Sequence, residues 1–423
     1  MRIAIIAIGS RGDVQPYIAL GQGLRNAGHT VRLVTQQNFE ALVKSYRLEF
    51  WPIRGSSQDV TGSQEIWELS EKGNFVATLR HIQKSAELTI NEWMEDGLAA
   101  CQGIDLLIAG SIGLTVGTSL AEKNHLPLLP AHVIPTVPTR AFPSILLPPT
   151  LPNLGGAFNL ISSRLILQLG WLGARPIINR ARKKILDLPP ASFAEPLHSS
   201  RSKGFPILYG FSPSVIPAPA DWSADDHVTG YWFLDPPSDW TPPADLLNFL
   251  QAGPPPVYIG FGSMGSRKPA ETTDLVLQAL AKTGQRAILL SGWGGLQNAD
   301  FPETVFMIDS IPHAWLFSRV AAVAHHGGAS TTAAGLRAGV PSIVIPFLGD
   351  QHFWGQRVHD LGVGPAPIPR SKLTVDRLAQ AIQESVTNTA MCQHAAELGS
   401  KIQSEDGIGN AVKIIQRIEG IKS

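Results

Sequence analysis

Residues 324–351, AHHGGASTTAAGLRAGVPSIVIPFLGDQ, constrain the fold more than any other stretch, because they set out a strand end, a turn, a helix, a second strand and a polar terminus in that order. The apolar run VAAVA at 320–324 has the length of a strand, Gly327 and Gly328 make the turn, and the small residues from Ala329 to Ala334 suit the opening of a helix. Pro341 then opens a second apolar run, SIVIP, and the segment ends on Asp350 and Gln351. Such a unit belongs to an α/β chain with a parallel sheet, where ligands bind beyond the carboxyl ends of the strands.

A helix that opens this way presents unpaired N–H groups and the positive end of its dipole, where a phosphate is readily held. Gly327 and Gly328 let backbone approach an anion, Ser330 and Thr331 offer hydroxyls, and His326 adds a donor or a positive charge. Asp350 beside Gln351 supplies acceptors and donors together, as adjacent sugar hydroxyls require. Taken singly, each element reads as a loop, a cap or ordinary surface. In this order they point to a nucleotide sugar.

The amino terminus follows the same logic. RIAIIAI at 2–8 is a buried first strand, residues 9–13 are a turn, 14–27 a helix stopped by Gly28, and 30–35 the next strand. The turn GSRGD is neither GxGxxG nor a P-loop, since no Lys-Ser/Thr follows, so neither a dinucleotide nor a triphosphate is supported. Asp13 stands at the mouth of that helix, either as a cap or as an acid–base group.

A chain of 423 residues, 44% hydrophobic, suits two cores. Prolines crowd residues 235–256, giving a first domain at 1–234, a linker, and a second domain at 257–395. Lys plus Arg and Asp plus Glu are equal at 34 each, so no overall field favours nucleic acid. Cys101 and Cys392 fit neither a metal spacing nor a disulfide framework and point to a reducing, cytoplasmic compartment. The opening apolar run is too short for a signal peptide. A DxD-type metal motif is missing, and Asp225-Asp226-His227 reads as a solvated loop, so no metal is expected.

Residues 135–190 begin proline-rich and apolar, the profile of a loop that shapes a greasy pocket. Residues 157–172 are apolar nearly all round a helix, which serves either as core or as an acceptor site that touches a membrane. The cluster Arg180, Arg182, Lys183 and Lys184 either wets a helix face or meets anionic headgroups.

Five motifs in register carry a resemblance: GSRGDVQPYIALGQGLRNAGHTVRLVT, YIGFGSM, SIPHAWLF, HHGGASTT and PFLGDQHFWGQR. Together they resemble the inverting, nucleotide-sugar-dependent glycosyltransferases of the GT-B fold, in the branch that holds the sterol 3-beta-glucosyltransferases and the bacterial antibiotic glycosyltransferases. The resemblance implies two Rossmann-like doubly wound domains facing each other across a cleft, with residues 396–423 crossing back to the first. It implies transfer of glucose from UDP-glucose to the 3-beta-hydroxyl of a sterol, without cofactor or metal. Alternatives are a polyketide, carotenoid, hopanoid or glycopeptide acceptor with a UDP- or dTDP-sugar and, further off, a nucleotide-sugar epimerase. Many relatives carry a His base in the pattern GHxxP; Asp13 stands there in this chain and by resemblance is the general base. The implied donor contacts are Ser263, Ile311, His326, Gly328, Ser330, Thr331, Asp350 and Gln351. The implied acceptor contacts are Arg11, Phe142, Ile145 and Leu146, while Trp293 either stacks on the base or packs on its loop.

Overall fold

The computed structural model describes residues 1–55, 75–147, 154–194, 205–261, 269–291 and 301–422. The first lobe is a seven-stranded sheet of β1 (Arg2–Ile6), β2 (Thr30–Gln36), β3 (Glu49–Ile53), β4 (Leu106–Ala109), β5 (Leu128–His132), β6 (Ile207–Tyr209) and β7 (Asp226–Val228), in the order 3-2-1-4-5-6-7. The second is a five-stranded sheet of β8 (Val257–Gly260), β9 (Ala287–Leu290), β10 (Val305–Ile308), β11 (Ala322–His325) and β12 (Ser342–Val344), in the order 10-9-8-11-12.

Every pairing is parallel, with Ile5 of β1 opposite both Leu33 of β2 and Ile108 of β4. Helices cover both faces of such sheets, which is why the central strands read as unbroken apolar runs: Ile3 through Ile6 and Leu106 through Ala109 are all buried. The direction of winding reverses between β1 and β4 in one lobe and between β8 and β11 in the other. Crevices open at these two points, so the loops after β1 and β11 are where a ligand is held.

The proline-rich stretch is less of a free linker than its composition predicts. Residues Ala244–Gln251 form a helix whose Leu246 is buried with Tyr258, Ile288 and Leu316, and Trp240 meets Trp315 edge-on at 5.4 Å. Only its first residues, from Asp235, bridge the lobes. At the other end, the helix Thr389–Gln403 caps the second lobe through Ala395 and Leu398, beside Ala333 and Leu336. The crossing falls at 404–406 rather than at 396, and the helix Gly407–Lys422 then buries Ala411, Val412 and Ile415 with Leu20 and Leu24 of the first lobe. Glu405 anchors the return, accepting hydrogen bonds from Ser212 and Ser214 hydroxyls at 2.6 and 2.9 Å. Asp226, expected in a solvated loop, is instead buried at the start of β7, where its carboxylate accepts from the Ser223 N–H at 2.8 Å.

Candidate active site between the lobes

The first helix, Arg11–Asn26, starts directly beyond β1. Gly9, at φ +141°, makes the turn, and a methyl group there would lie 2.5 Å from Asp13 Oδ2, so only glycine leaves the carboxylate its place. Asp13 Oδ2 accepts from both the backbone N–H and the hydroxyl of Ser10, each at 2.8 Å. Burial pushes the Asp13 carboxyl above its ordinary value, and the two Ser10 hydrogen bonds offset part of that rise. A carboxylate so held is a stronger proton acceptor than a free aspartate.

Opposite it, Gly327 (φ +92°) turns the chain out of β11, and its Cα faces Gln351: a Cβ there would meet the Gln351 carbonyl at 3.0 Å and Val344 Cγ1 at 2.6 Å. This glycine brings the two halves of the 324–351 segment together. Buried His325 accepts the Gly327 N–H on Nδ1 at 3.0 Å and so fixes the turn. His326 lies over Gly328, where an added methyl would sit 2.5 Å from Nε2. Burial drives the His326 pKa down to about 4, so the ring is neutral at pH 7 and serves as a hydrogen-bonding group rather than a cation. Its Nδ1 is buried and makes no hydrogen bond among the described residues.

The helix Ala329–Ala338 has Gly328 at its N-cap and no side-chain cap, leaving its first N–H groups open toward the cleft. Its three hydroxyls divide their work. Ser330 Oγ reaches the other lobe and donates to the Gly12 carbonyl at 2.6 Å, while Thr332 turns back to the Gly328 carbonyl at 3.0 Å. Thr331 is half-buried, and its hydroxyl makes no hydrogen bond among the described residues.

Asp350 caps the helix Gln351–Asp360 and accepts from the indole N–H of fully buried Trp354 at 3.0 Å. Its carboxyl is pushed up to about 6, first by burial and then by the charge of Asp13, against the Trp354 hydrogen bond. The Asp13 charge thus acts on Asp350 from 337 residues away in sequence, across the gap that the Ser330–Gly12 hydrogen bond closes at 2.6 Å. Gln351 is buried and its Oε1 accepts from the N–H groups of Phe347 and Leu348 at 2.8 and 3.2 Å, so only its amide N–H groups remain for a ligand.

The lobes also touch where Arg11 Nη1 donates to Ser310 Oγ at 3.2 Å, next to buried Ile311, and where Phe142 meets Phe353 at 5.6 Å. Arg11 therefore bridges to the second lobe. Among the other acceptor candidates, Phe142 is half-buried and Ile145 buried, while Leu146 is 57% exposed and points outward. Ser263 and Trp293 lie outside the described residues. Among the described residues no group of three or more His, Cys, Asp or Glu is arranged to hold a metal.

One pair escaped the sequence reading. The Tyr17 hydroxyl, one turn beyond Asp13, donates to the Ala131 carbonyl at 2.7 Å and lies against Gly110. The next residues along β4 and β5, Ser111 and His132, pair at 2.9 Å between Oγ and Nδ1 on the same sheet edge. His132 is buried, held down to about pKa 4, and its Nε2 has no hydrogen-bond partner among the described residues. A histidine closing the apolar strand LLPAH was the available signal.

Residues 3–143 match the glycosyltransferase family 28 N-terminal domain, and residues 276–417 match the erythromycin biosynthesis protein CIII-like C-terminal domain. Two sterol 3-beta-glucosyltransferases of Arabidopsis thaliana are each 37% identical, over 98% and 99% of this chain and 65% and 68% of their own lengths. The chain thus spans about two thirds of these plant relatives. The crystallised glycosyltransferase of kitacinnamycin superimposes with a TM-score of 0.70 over 98% of both chains at 17% identity, which shows a common fold. With GT-B architecture in both lobes and this likeness along its whole length, the chain belongs to the sterol 3-beta-glucosyltransferase family.

Proposed function

We propose that this chain transfers glucose from UDP-glucose to the 3-beta-hydroxyl of a sterol with inversion at C1, needing no metal or cofactor. The observation that carries the reading is the contact of two helix openings, one from each lobe, where Ser330 Oγ donates to the Gly12 carbonyl at 2.6 Å between Asp13 and the uncapped helix Ala329–Ala338. Asp13 takes the proton of the acceptor hydroxyl. The oxygen attacks C1, the bond from C1 to the phosphate oxygen breaks, and its electron pair leaves with UDP. Open N–H groups at Ala329–Ala338, the Thr331 hydroxyl and neutral His326 receive the charge that grows on the diphosphate. Asp350 and the Gln351 amide hold sugar hydroxyls, backbone at Ile311 borders the base, and Ser263 joins the phosphate contacts.

The acceptor is lipophilic because the names of the relatives specify sterols and the pocket-side loop is apolar. Burying about 200 Å² of hydrocarbon contributes about 5 kcal/mol, several times the ~1 kcal/mol of one hydrogen bond, so shape outweighs hydroxyl pattern in selection. The enzyme works in the cytoplasm and meets its acceptor at a membrane surface.

The test is incubation with radiolabelled UDP-glucose with and without cholesterol. Release of UDP only with sterol, together with a lipid-soluble β-glucoside, is the expected result. Transfer only from a dTDP-sugar, isomerised donor without acceptor, or unchanged donor would each overturn it.

A further inference from the structure

As far as Leu169, the helix Gly156–Ala181 reverses the pattern of an ordinary surface helix, while its remainder buries Trp171, Ile178 and Ala181 in the usual way. Its buried positions include Asn159 and Ser163, with Asn159 Nδ2 donating to the Arg140 carbonyl at 3.2 Å, whereas large aliphatic residues face outward. Ile161, Leu165 and Leu169 are 65%, 56% and 57% exposed. Spaced by four, they form one row about 12 Å long. Leu154, 62% exposed just before the helix, and Leu146, 57% exposed in the loop that carries Phe142 and Ile145, are further exposed aliphatic side chains. Phe193, 66% exposed, flanks the helix, where its carbonyl accepts from Gln168 Nε2 at 2.9 Å. Soluble proteins seldom leave such a row of apolar side chains in water.

The charge of the segment is as one-sided as its hydropathy. Residues 154–186 contain Arg164, Arg175, Arg180, Arg182, Lys183 and Lys184 and neither Asp nor Glu. Two of these are committed inside the lobe: Arg182 is buried against Glu122 at 3.0 Å, and Arg175 donates to the Ala191 carbonyl at 2.9 Å. Arg180 pairs with Glu87. Arg164, Lys183 and Lys184 are exposed and make no ion pair among the described residues. No helix of the described residues is long and apolar enough to cross a membrane.

We propose that this face is a membrane-docking surface: the helix lies in the headgroup plane of an anionic bilayer, its aliphatic row enters the acyl boundary, and the protein takes its acceptor from the lipid beside it. Amphipathic helices bind bilayers through this pairing of apolar insertion with basic attraction. A second copy of the chain fits the face poorly, since symmetric pairing would set basic helix against basic helix. The inference rests on the sterol reading and gives that site its partner.

The experiment uses the full chain, with vesicles of phosphatidylcholine containing phosphatidylserine and cholesterol, and with cholesterol dissolved in cyclodextrin as a second presentation. Wild type is expected to sediment with the vesicles. The triple variant Ile161→Glu, Leu165→Glu, Leu169→Glu is expected to lose binding and vesicle-presented transfer by roughly tenfold or more, with cyclodextrin-presented transfer unchanged. Lys183→Glu with Lys184→Glu is expected to weaken only the salt-sensitive part of binding. Wild type that does not sediment, or a triple variant that still transfers to vesicle sterol at the wild-type rate, overturns the proposal. So does a wild-type dimer that the triple variant abolishes, which would assign the face to a second copy. Loss of transfer from both presentations in wild type would refute the sterol reading instead, and sedimentation reads docking independently of it.

Discussion

Two helix openings face each other between the lobes, and they are completed in opposite ways. At Ser10–Asp13 the chain closes on itself, with the Asp13 carboxylate accepting both the N–H and the hydroxyl of Ser10. At Gly328–Thr331 no side chain caps the helix, and the one serine there is spent on the carbonyl of Gly12 across the gap. The first opening holds one carboxylate in place; the second leaves its first N–H groups without a side-chain cap. On the proposed mechanism, proton removal and leaving-group stabilisation therefore fall to different lobes.

The largest break of this comparison is Asp13→Asn, which keeps the shape and the donor lobe but removes the base. Transfer is expected to fall by about 10²–10⁴, with UDP affinity within twofold of wild type by calorimetry. Gly9→Ala comes next, since its methyl group would strike Asp13 Oδ2 in a backbone conformation that disfavours any side chain. We expect kcat to drop roughly tenfold or more while donor KM holds. Gly328→Ala attacks the opposite opening by displacing His326, and the signature should reverse: donor KM rises about tenfold and kcat changes less.

Asp350 sharpens the comparison through pH. Its folded carboxyl titrates at about 6 against an ordinary 3.8. A raised acid contributes stability that is complete below about pH 4 and lost as pH climbs through 6, a swing of about 3 kcal/mol. Asp350→Asn should therefore melt higher than wild type above pH 6 and alike below about 4, while transferring sugar poorly. The smallest effect belongs to Ser330→Ala, which removes one hydrogen bond between lobes worth ~1 kcal/mol and should raise donor KM severalfold at most.

Much of this was legible in the chain. Runs such as RIAIIAI and VAAVA are apolar on both faces because helices cover both sides of a parallel sheet, so strands and class follow from composition alone. Glycine turns before small-residue helices mark both openings for the same steric reason. Less was readable where burial changes a side chain's role. His326 as a cation, Arg182 as a surface charge and Asp226 as a loop residue are all reasonable for exposed groups, whereas Arg182 and Asp226 are buried and His326 is partly so. The contact of Arg11 with Ser310 was not readable either, since the two lie 299 residues apart. The inverted helix is a further instance: apolar residues all round it fit a core, and only packing reveals which row is left outside.

The account turns on Asp13 and the donor lobe sharing one reacting molecule. A crystal structure of the Asp13→Asn variant with UDP-glucose and a sterol measures this directly. The account predicts that the residue 13 side chain lies about 2.6–3.2 Å from the acceptor hydroxyl, with C1 of the sugar between that hydroxyl and the diphosphate held at residues 328–331. A sterol hydroxyl or a sugar C1 bound beyond reach of residue 13, with the lobes closed, would contradict it.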